Sequence, residues 1–87
     1  MGERELKELG VVTHYFTKIG VAIVELSDTL SVGDRILIKG ATTSVEQTVT
    51  SMQIEHKNVK EAKAGESIGL KVEGRVREGD TVYKLLG

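Results

Sequence analysis

Residues 67–72 of this chain run Ser-Ile-Gly-Leu-Lys-Val. Ile68, Leu70 and Val72 alternate with smaller or polar residues, and successive side chains of a β-strand point to opposite faces of a sheet. The stretch therefore predicts a strand with one apolar face that packs into a core. Residues 35–39 repeat the pattern, because Ile36 and Ile38 share one side.

The same alternation recurs along the chain in short runs separated by glycine or small polar residues, which is typical of strands and turns. In the longest run the apolar residues change parity, so we expect a β-bulge near Thr50 or Ser51. Residues 59–64 could form one helical turn, but a simple connection is favoured. The predicted strands are residues 10–16, 21–26, 35–39, 45–55, 68–72 and 81–85.

Two of the breaks place Gly-Asp directly before a strand, at Gly33-Asp34 and at Gly79-Asp80. Glycine adopts positive φ without a steric clash, and an aspartate side chain accepts hydrogen bonds from nearby backbone, so both pairs predict tight turns. Many short strands predict an all-β sandwich or barrel, and a barrel is favoured because closure removes exposed edge strands. We expect one domain over residues 1–87, with the barrel at about 10–86 and residues 1–9 partly extended or frayed.

The composition is that of a globular domain, with 87 residues, 39% apolar, 29% charged and no cysteine. This balance is too apolar for a disordered tail, and the absence of cysteine excludes disulfides and thiolate metal sites. The chain has no apolar run near the roughly 18 residues of a membrane span, and residues 1–9 alternate charge with leucine. We therefore expect a cytoplasmic protein that makes no contact with a membrane.

The formal net charge of −1 conceals an uneven distribution of charged residues. Residues 1–34 hold three basic and six acidic side chains, whereas residues 57–77 hold six basic and three acidic ones. A local excess of positive charge can steer an anionic partner such as RNA, although a merely solvated face is the alternative interpretation. The candidate phosphate contacts are Lys57, Lys60, Lys63, Arg75 and Arg77.

Tyr15 and Phe16 are adjacent in a predicted strand, so one of the two rings faces the interior and the other faces outward. An exposed aromatic ring near Lys18 could stack on a nucleobase. Packing against a neighbouring strand is the alternative explanation for such a ring. Tyr15 and Lys18 are therefore candidate partner-binding residues.

No pattern in the chain indicates catalysis. His14 and His56 are the only imidazoles and are expected at the surface or the rim of the barrel, without the spacing of a metal site. Residues 69–74 have the glycine spacing of a phosphate loop, but Arg75-Val76 follows where lysine and a hydroxyl are required. We expect a chain that is not an enzyme, holds no cofactor or metal, and does not bind GTP by itself.

Four segments resemble the second domain of translation GTPases such as elongation factor Tu. The opening residues 11–26 are more similar to small standalone proteins described as translation elongation factor-like, and to the barrel appended to collagenase-like peptidase-family proteins, some of which act in RNA modification. The resemblance implies a six- to seven-stranded closed Greek-key barrel. The four segments are residues 30–36 (Leu-Ser-Val-Gly-Asp-Arg-Ile), 49–54 (Val-Thr-Ser-Met-Gln-Ile), 62–70 (Ala-Lys-Ala-Gly-Glu-Ser-Ile-Gly-Leu) and 76–82 (Val-Arg-Glu-Gly-Asp-Thr-Val).

In elongation factor Tu this barrel helps to hold the 3′ end of aminoacyl-tRNA with a glutamate and an arginine, and Gln53 and His56 stand at the corresponding places here. Gln53 keeps hydrogen-bonding capacity without the carboxylate, and His56 is a weaker, pH-dependent cation. The resemblance implies a non-catalytic, translation- or RNA-related module that binds RNA (tRNA or rRNA) or an RNA-associated protein. The alternative, which the near-zero net charge favours, is an assembly domain that docks on a separately encoded GTPase or RNA-modifying enzyme without direct RNA contact.

Overall fold

The computed structural model describes residues 5–86, and the regular structure within them is entirely β, as predicted. Since these residues form no helix, they contain none that is long and apolar enough to cross a membrane. The strands are β1 (Leu6–Phe16), β2 (Val21–Leu26), β3 (Leu30–Ser31), β4 (Arg35–Lys39), β5 (Ser44–Thr48), β6 (Met52–Ile54), β7 (Lys57–Val59), β8 (Glu61–Ala62), β9 (Ser67–Lys71) and β10 (Thr81–Leu85).

Eight strands form one antiparallel sheet in the order β5-β4-β10-β1-β2-β9-β6-β7, while β3 pairs with β8 in a separate ribbon. The long strand β1 lies near the middle of the sheet and pairs with both β10 and β2. Its register shifts between Glu8 and Gly10 and again between Val12 and His14. Such bulges bend a strand and increase its twist, which allows the sheet to curl around its apolar face.

The core lies inside this curl and consists of the alternating apolar residues. Ile36 and Ile38 of β4 and Ile68 and Leu70 of β9 are all buried. The apolar faces predicted for these two strands are therefore confirmed. Further core positions come from β1, β2, β3, β6 and β10 and include Leu9, Val12, Val24, Leu30, Met52 and Val82.

The strand boundaries differ from the prediction in two places. Strand β1 begins at Leu6, which pairs with Leu85, whereas the predicted strand began at residue 10; residues 1–4 lie outside the described part of the chain. The expected strand at 45–55 is two strands, β5 at one end of the sheet and β6 next to the other end. Val49 and Met52 are both buried, so the parity change is real, but the chain crosses the fold there instead of forming a bulge.

A closed barrel of six or seven strands is not confirmed, because β5 and β7 end the sheet without pairing to each other. The side chain of Gln47 nevertheless joins β5 to the residues after β9. Gln47 is only 2% exposed. Its Nε2 donates to the carbonyl oxygen of Lys71 at 2.8 Å, and its Oε1 accepts from the N–H of Glu73 at 2.7 Å. One buried amide thus joins two parts of the curled sheet between which no backbone ladder forms.

Three turns share one design, and they include both predicted Gly-Asp turns. In residues 31–34, 63–66 and 77–80 the third residue is glycine at a φ of 90° to 98°. The fourth residue is acidic, and its carboxylate accepts the N–H of the first residue at 2.7 to 2.9 Å. The two Gly-Asp predictions are confirmed. The middle turn, which uses Glu66, was not predicted because its acidic side chain is one carbon longer.

The β6–β7 hairpin has an unusual turn. Glu55 and His56 connect the paired residues Ile54 and Lys57, and both have positive φ, at 51° and 64°. A two-residue turn with positive φ at both positions favours Asn-Gly, because other side chains are strained there. The strain of this turn, which positions His56, therefore lowers the stability of the fold.

Replacement of Gln47 by leucine should destabilise the fold. The substitution removes both hydrogen bonds and leaves a partly buried carbonyl and N–H without partners, so we expect a loss of about 1–3 kcal/mol in the free energy of unfolding. Urea denaturation measures this loss. Gln53→Leu is the matched control, because Gln53 is exposed and should change stability by less than about 0.5 kcal/mol. Equal losses in the two variants would show that the link is unimportant.

The double substitution Glu55→Asn with His56→Gly should stabilise the fold. Asn-Gly adopts the positive φ angles of this turn with less strain, so we expect a gain of about 1 kcal/mol in the free energy of unfolding. The measurement is the midpoint of thermal or urea unfolding. A fall in the midpoint would contradict the assignment of strain to this turn.

Candidate functional site

A groove of about 280 Å³ lies on the outer face of the sheet, across β1, β2, β9 and β6. No side chain covers the floor of this groove at β9, because Gly69 occupies the outward position there, between Ile23 of β2 and Gln53 of β6. We call it the outer groove. Its lining residues are Phe16, Ile19, Val21, Ile23, Gln53, Glu55, His56, Ser67, Ile68 and Gly69.

One wall of the outer groove is apolar and comes from the β1–β2 hairpin. Phe16 is 44% exposed and Ile19 is 59% exposed, although both are large apolar residues. The hairpin turn closes through the N–H of Gly20, which donates to the carbonyl oxygen of Phe16 at 2.9 Å. Lys71 Nζ donates to the carbonyl oxygen of Ile19 at 2.9 Å and so fixes the tip of the hairpin against β9.

The structure distinguishes the two adjacent aromatic rings. Tyr15 is half-buried and packs against the core, whereas Phe16 lines the outer groove. Tyr15 also borders a shallow depression with Lys18 at the hairpin tip, next to the groove. Sequence reasoning chose Tyr15 for stacking and missed Phe16 and Ile19. Phe16 has the same parity as the buried Val12, and only the register shift between Val12 and His14 turns it outward.

The opposite wall is polar and comes from the β6–β7 hairpin. Gln53 and His56, the two residues singled out by resemblance, both line the outer groove. Gln53 Nε2 donates to Asn58 Oδ1 across the hairpin at 3.1 Å, which orients the amide. The strained turn places His56 at the rim, with Lys57 next to it.

The five predicted basic residues are distributed over several elements of the fold. Lys57 begins β7, Lys60 links β7 to β8, and Lys63 opens the turn after β8. Arg75 and Arg77 lie in the connection from β9 to β10. Within residues 5–86 none of the five side chains has an ion pair or a hydrogen bond. Lys57 lies nearest to the outer groove in sequence, beside His56.

Other charged residues are already paired at a distance from the outer groove. Lys7 Nζ lies 2.7 Å from Asp28 Oδ2, and Lys84 Nζ lies 3.6 Å from Asp34 Oδ2. The hydrogen bond from Lys7, helped by the N–H of Thr29, holds the pKa of Asp28 below its ordinary value. These groups border a small polar depression at the end of the fold where β1 begins.

The residues described around the outer groove form neither an activated serine nor a metal site. Ser67 and His56 both line the groove, but no hydrogen bond joins the hydroxyl to the imidazole, and activation of a serine nucleophile requires such a bond. Residues 5–86 also bring together no group of three or more histidine, aspartate or glutamate side chains suited to a metal ion. His14 contacts only exposed groups, with its Nδ1 3.4 Å from Glu78 Oε2.

The amino-acid sequence has clear relatives among curated proteins. A protein of Methanocaldococcus jannaschii named as an uncharacterized protease is 52% identical over 79 residues, which cover 90% of this chain and 19% of that protein. A collagenase of Porphyromonas gingivalis is 36% identical over 83 residues, which cover 93% of this chain and 23% of that protein. The chain thus spans about a fifth of the length of these relatives.

The fold matches solved structures over nearly its whole length. The C-terminal domain of a Geobacillus thermoleovorans protein described as a U32 peptidase superimposes with a TM-score of 0.84 at 18% sequence identity, covering 90% of this chain and 91% of that one. At this identity the match shows the fold alone. Residues 29–83 match the family described as elongation factor Tu domain 2. The predicted resemblances to elongation factor Tu domain 2 and to collagenase-like peptidase-family proteins are confirmed, and the chain belongs to the elongation factor Tu domain 2 family.

Proposed function

We propose that this chain is a non-catalytic binding module that holds an unpaired nucleotide of an RNA strand in the outer groove. One observation carries the proposal: an exposed aromatic ring, Phe16, faces the amide of Gln53 and the imidazole of His56 across one groove. The proposal includes a closed Greek-key barrel as the scaffold, supported by the link that Gln47 makes between β5 and the end of β9.

The apolar wall supplies a stacking surface. Proteins that bind single strands use aromatic side chains on which bases stack, and each such contact contributes about 1–3 kcal/mol. Phe16 and Ile19 keep much of their surface exposed, although the imidazole of His14 lies beside the Phe16 ring with 5.5 Å between the ring centroids, so a base can cover this exposed surface. Gly69 leaves room beneath, because an added Cβ there would lie 3.5 Å from Val21 Cγ1. A planar ring can therefore approach the sheet closely.

The polar wall supplies hydrogen bonds and charge. A glutamine amide both donates and accepts, which suits the edge of a nucleobase. Gln53 is held by Asn58 through Nε2, and its Oε1 points to no protein donor in the described residues. Lys57 and Lys18 stand near the two sides of the groove without ion pairs, so their ammonium groups are available to phosphate.

Family membership supports an RNA-related role in translation or RNA modification. The resemblance to elongation factor Tu implies a barrel that helps to hold the 3′ end of a tRNA, and it singles out Gln53 and His56, which both line the outer groove. At these two places the chain lacks the glutamate and arginine that elongation factor Tu uses. We therefore propose RNA binding by this groove, with a glutamine and a histidine in place of the charged pair.

A second candidate function is docking on an enzyme, and an apolar patch on another face favours it. Leu37, Tyr83 and Leu85 are half-buried on the outer side of β4 and β10, beside Leu6, which is 40% exposed. The cross-strand pairs Leu37–Tyr83 and Leu6–Leu85 make these residues contiguous. Relatives named protease and collagenase are about five times longer than the matched segment. In this alternative the patch contacts a GTPase, an RNA-modifying enzyme or a peptidase-like domain.

Phe16→Ala should weaken RNA binding. Loss of one stacked base lowers affinity about 5- to 150-fold, corresponding to about 1–3 kcal/mol. Fluorescence anisotropy of a labelled single-stranded oligoadenylate, titrated with the full chain at low salt, measures the change. Leu86→Ala is the control, because Leu86 is also exposed but lies away from the groove. Equal affinity of Phe16→Ala and the unaltered chain would exclude the outer groove as the site.

RNA binding should depend on salt. Each phosphate contact with a single strand contributes a slope of about −0.7 to the plot of log affinity against log salt. We expect Lys57→Gln to make the slope shallower by about one contact, and Lys39→Gln, on the distant β4, to leave it unchanged. Binding that is independent of salt, or undetectable at low salt, would refute the RNA proposal.

Capture from cell extract with and without ribonuclease discriminates the two candidates. Under the leading proposal, captured proteins disappear after digestion because RNA bridges them to the chain. Under the alternative, an enzyme remains bound after digestion and is lost on Leu37→Glu, which places a charge in the apolar patch. Phe16→Ala would then have no effect on capture.

A further inference from the structure

A second groove, of about 340 Å³, lies at the base of the β6–β7 hairpin, where the chain passes the β3 ribbon. The N–H of Val32 donates to the carbonyl oxygen of Lys60 at 2.8 Å, which holds the two sides of this groove together. We call it the hairpin groove. The lining residues include Val32, Thr50, Ser51, Asn58 and Lys60.

The chemistry of the hairpin groove differs from that of the outer groove. Two hydroxyl groups and one amide surround Val32, which is 41% exposed, and Lys60 has no ion pair in the described residues. The groove contains no aromatic ring on which a base could stack. Serine, threonine, asparagine and lysine are the side chains that contact the sugars and phosphates of nucleic acids. The lining therefore suits a ribose and its phosphate.

One hydrogen bond connects the two grooves. Asn58 lines the hairpin groove, and its Oδ1 accepts from Nε2 of Gln53, which lines the outer groove. The two residues are directly opposite each other in the β6–β7 pair. Paired strands lie roughly 4.8 Å apart, so a ligand passes from one groove to the other by crossing a single strand spacing. This is a distance that neighbouring nucleotides of one strand can span.

We propose that a single RNA strand crosses the β6–β7 hairpin, with one base in the outer groove and the ribose-phosphate of the adjacent nucleotide in the hairpin groove. This inference rests on the proposed function of the outer groove. It assigns the site a minimum ligand of two nucleotides. Lys60 neutralises the second phosphate, and Thr50 and Ser51 bind the sugar.

The test compares ligands of increasing length on the isotope-labelled full chain by NMR. We expect AMP to shift the backbone amides of Gln53 and His56. The dinucleotide pApA should in addition shift those of Val32 and Ser51 and bind at least fivefold more tightly. ADP adds a phosphate without a second nucleoside, so it separates the effect of charge from that of length. We expect ADP neither to shift the amides of Val32 and Ser51 nor to bind more tightly than AMP.

Matched lysine variants assign the gain to the hairpin groove. Lys60→Gln should abolish the advantage of pApA over AMP and leave AMP binding unchanged, whereas Lys39→Gln should leave both ligands unchanged. If AMP binds but pApA is no tighter and Val32 and Ser51 do not shift, the inference is overturned while the proposed function stands. If neither ligand binds at low salt, the proposed function falls and the inference falls with it. Tighter pApA binding that survives Lys60→Gln would also overturn the inference.

Discussion

The two hydrogen bonds of Gln47 are the constraint on which the curled sheet depends. Strands β5 and β9 are separated by four others in the sheet, so no backbone ladder can join them, and a buried amide spans the gap instead. The approach also needs Gly74, because an added Cβ there would lie 2.8 Å from Val45 Cγ2. A fully satisfied buried amide specifies one arrangement of the two segments, since any slip leaves polar groups unpaired.

The same constraint reaches the candidate site through Lys71. Its carbonyl oxygen accepts from Gln47, and its side-chain ammonium donates to the carbonyl oxygen of Ile19 at the tip of the β1–β2 hairpin. One residue therefore connects the Gln47 link to the apolar wall that holds Phe16. The polar wall is positioned differently, by the strained turn at Glu55 and His56. Strained backbone at an exposed groove is typical of functional sites, where side-chain placement takes precedence over stability.

The sequence was sufficient for the features that depend on local rules. The alternation of apolar residues correctly predicted the buried faces that hold Ile36, Ile38, Ile68 and Leu70. The Gly-Asp pairs correctly predicted two of the three turns that share one design. The sequence was insufficient where the local structure depends on residues that are distant along the chain. A parity change in residues 45–55 is compatible with a bulge or with a crossover between strands, and only the pairing distinguishes them.

In the candidate site, too, the sequence predicted some residues and missed those whose position depends on long-range contacts. Gln53 and His56 could be identified by resemblance, but Phe16 could not, because the register shift in β1 reverses the side on which it lies. Gln47 looked like an ordinary polar residue in a strand, although it is as buried as the core. Its role depends on Lys71 and Glu73, which are more than twenty residues away in sequence. No local pattern can predict such a contact.

The pairing of charges explains how a domain of near-zero net charge could serve an anionic ligand. Lys7, Lys84 and Arg35 are each engaged by a carboxylate away from the outer groove. Lys57 on the β6–β7 hairpin and Lys60 directly after it have no such partner in the described residues. Under the proposed function, the positive charge that meets the RNA is therefore local, and the net charge conceals it. Two or three phosphate contacts provide modest affinity, since each neutralised phosphate adds a limited, salt-dependent increment. Under the proposed function, such a module would orient an RNA strand within a larger assembly, and most of the binding free energy would come from elsewhere in that assembly.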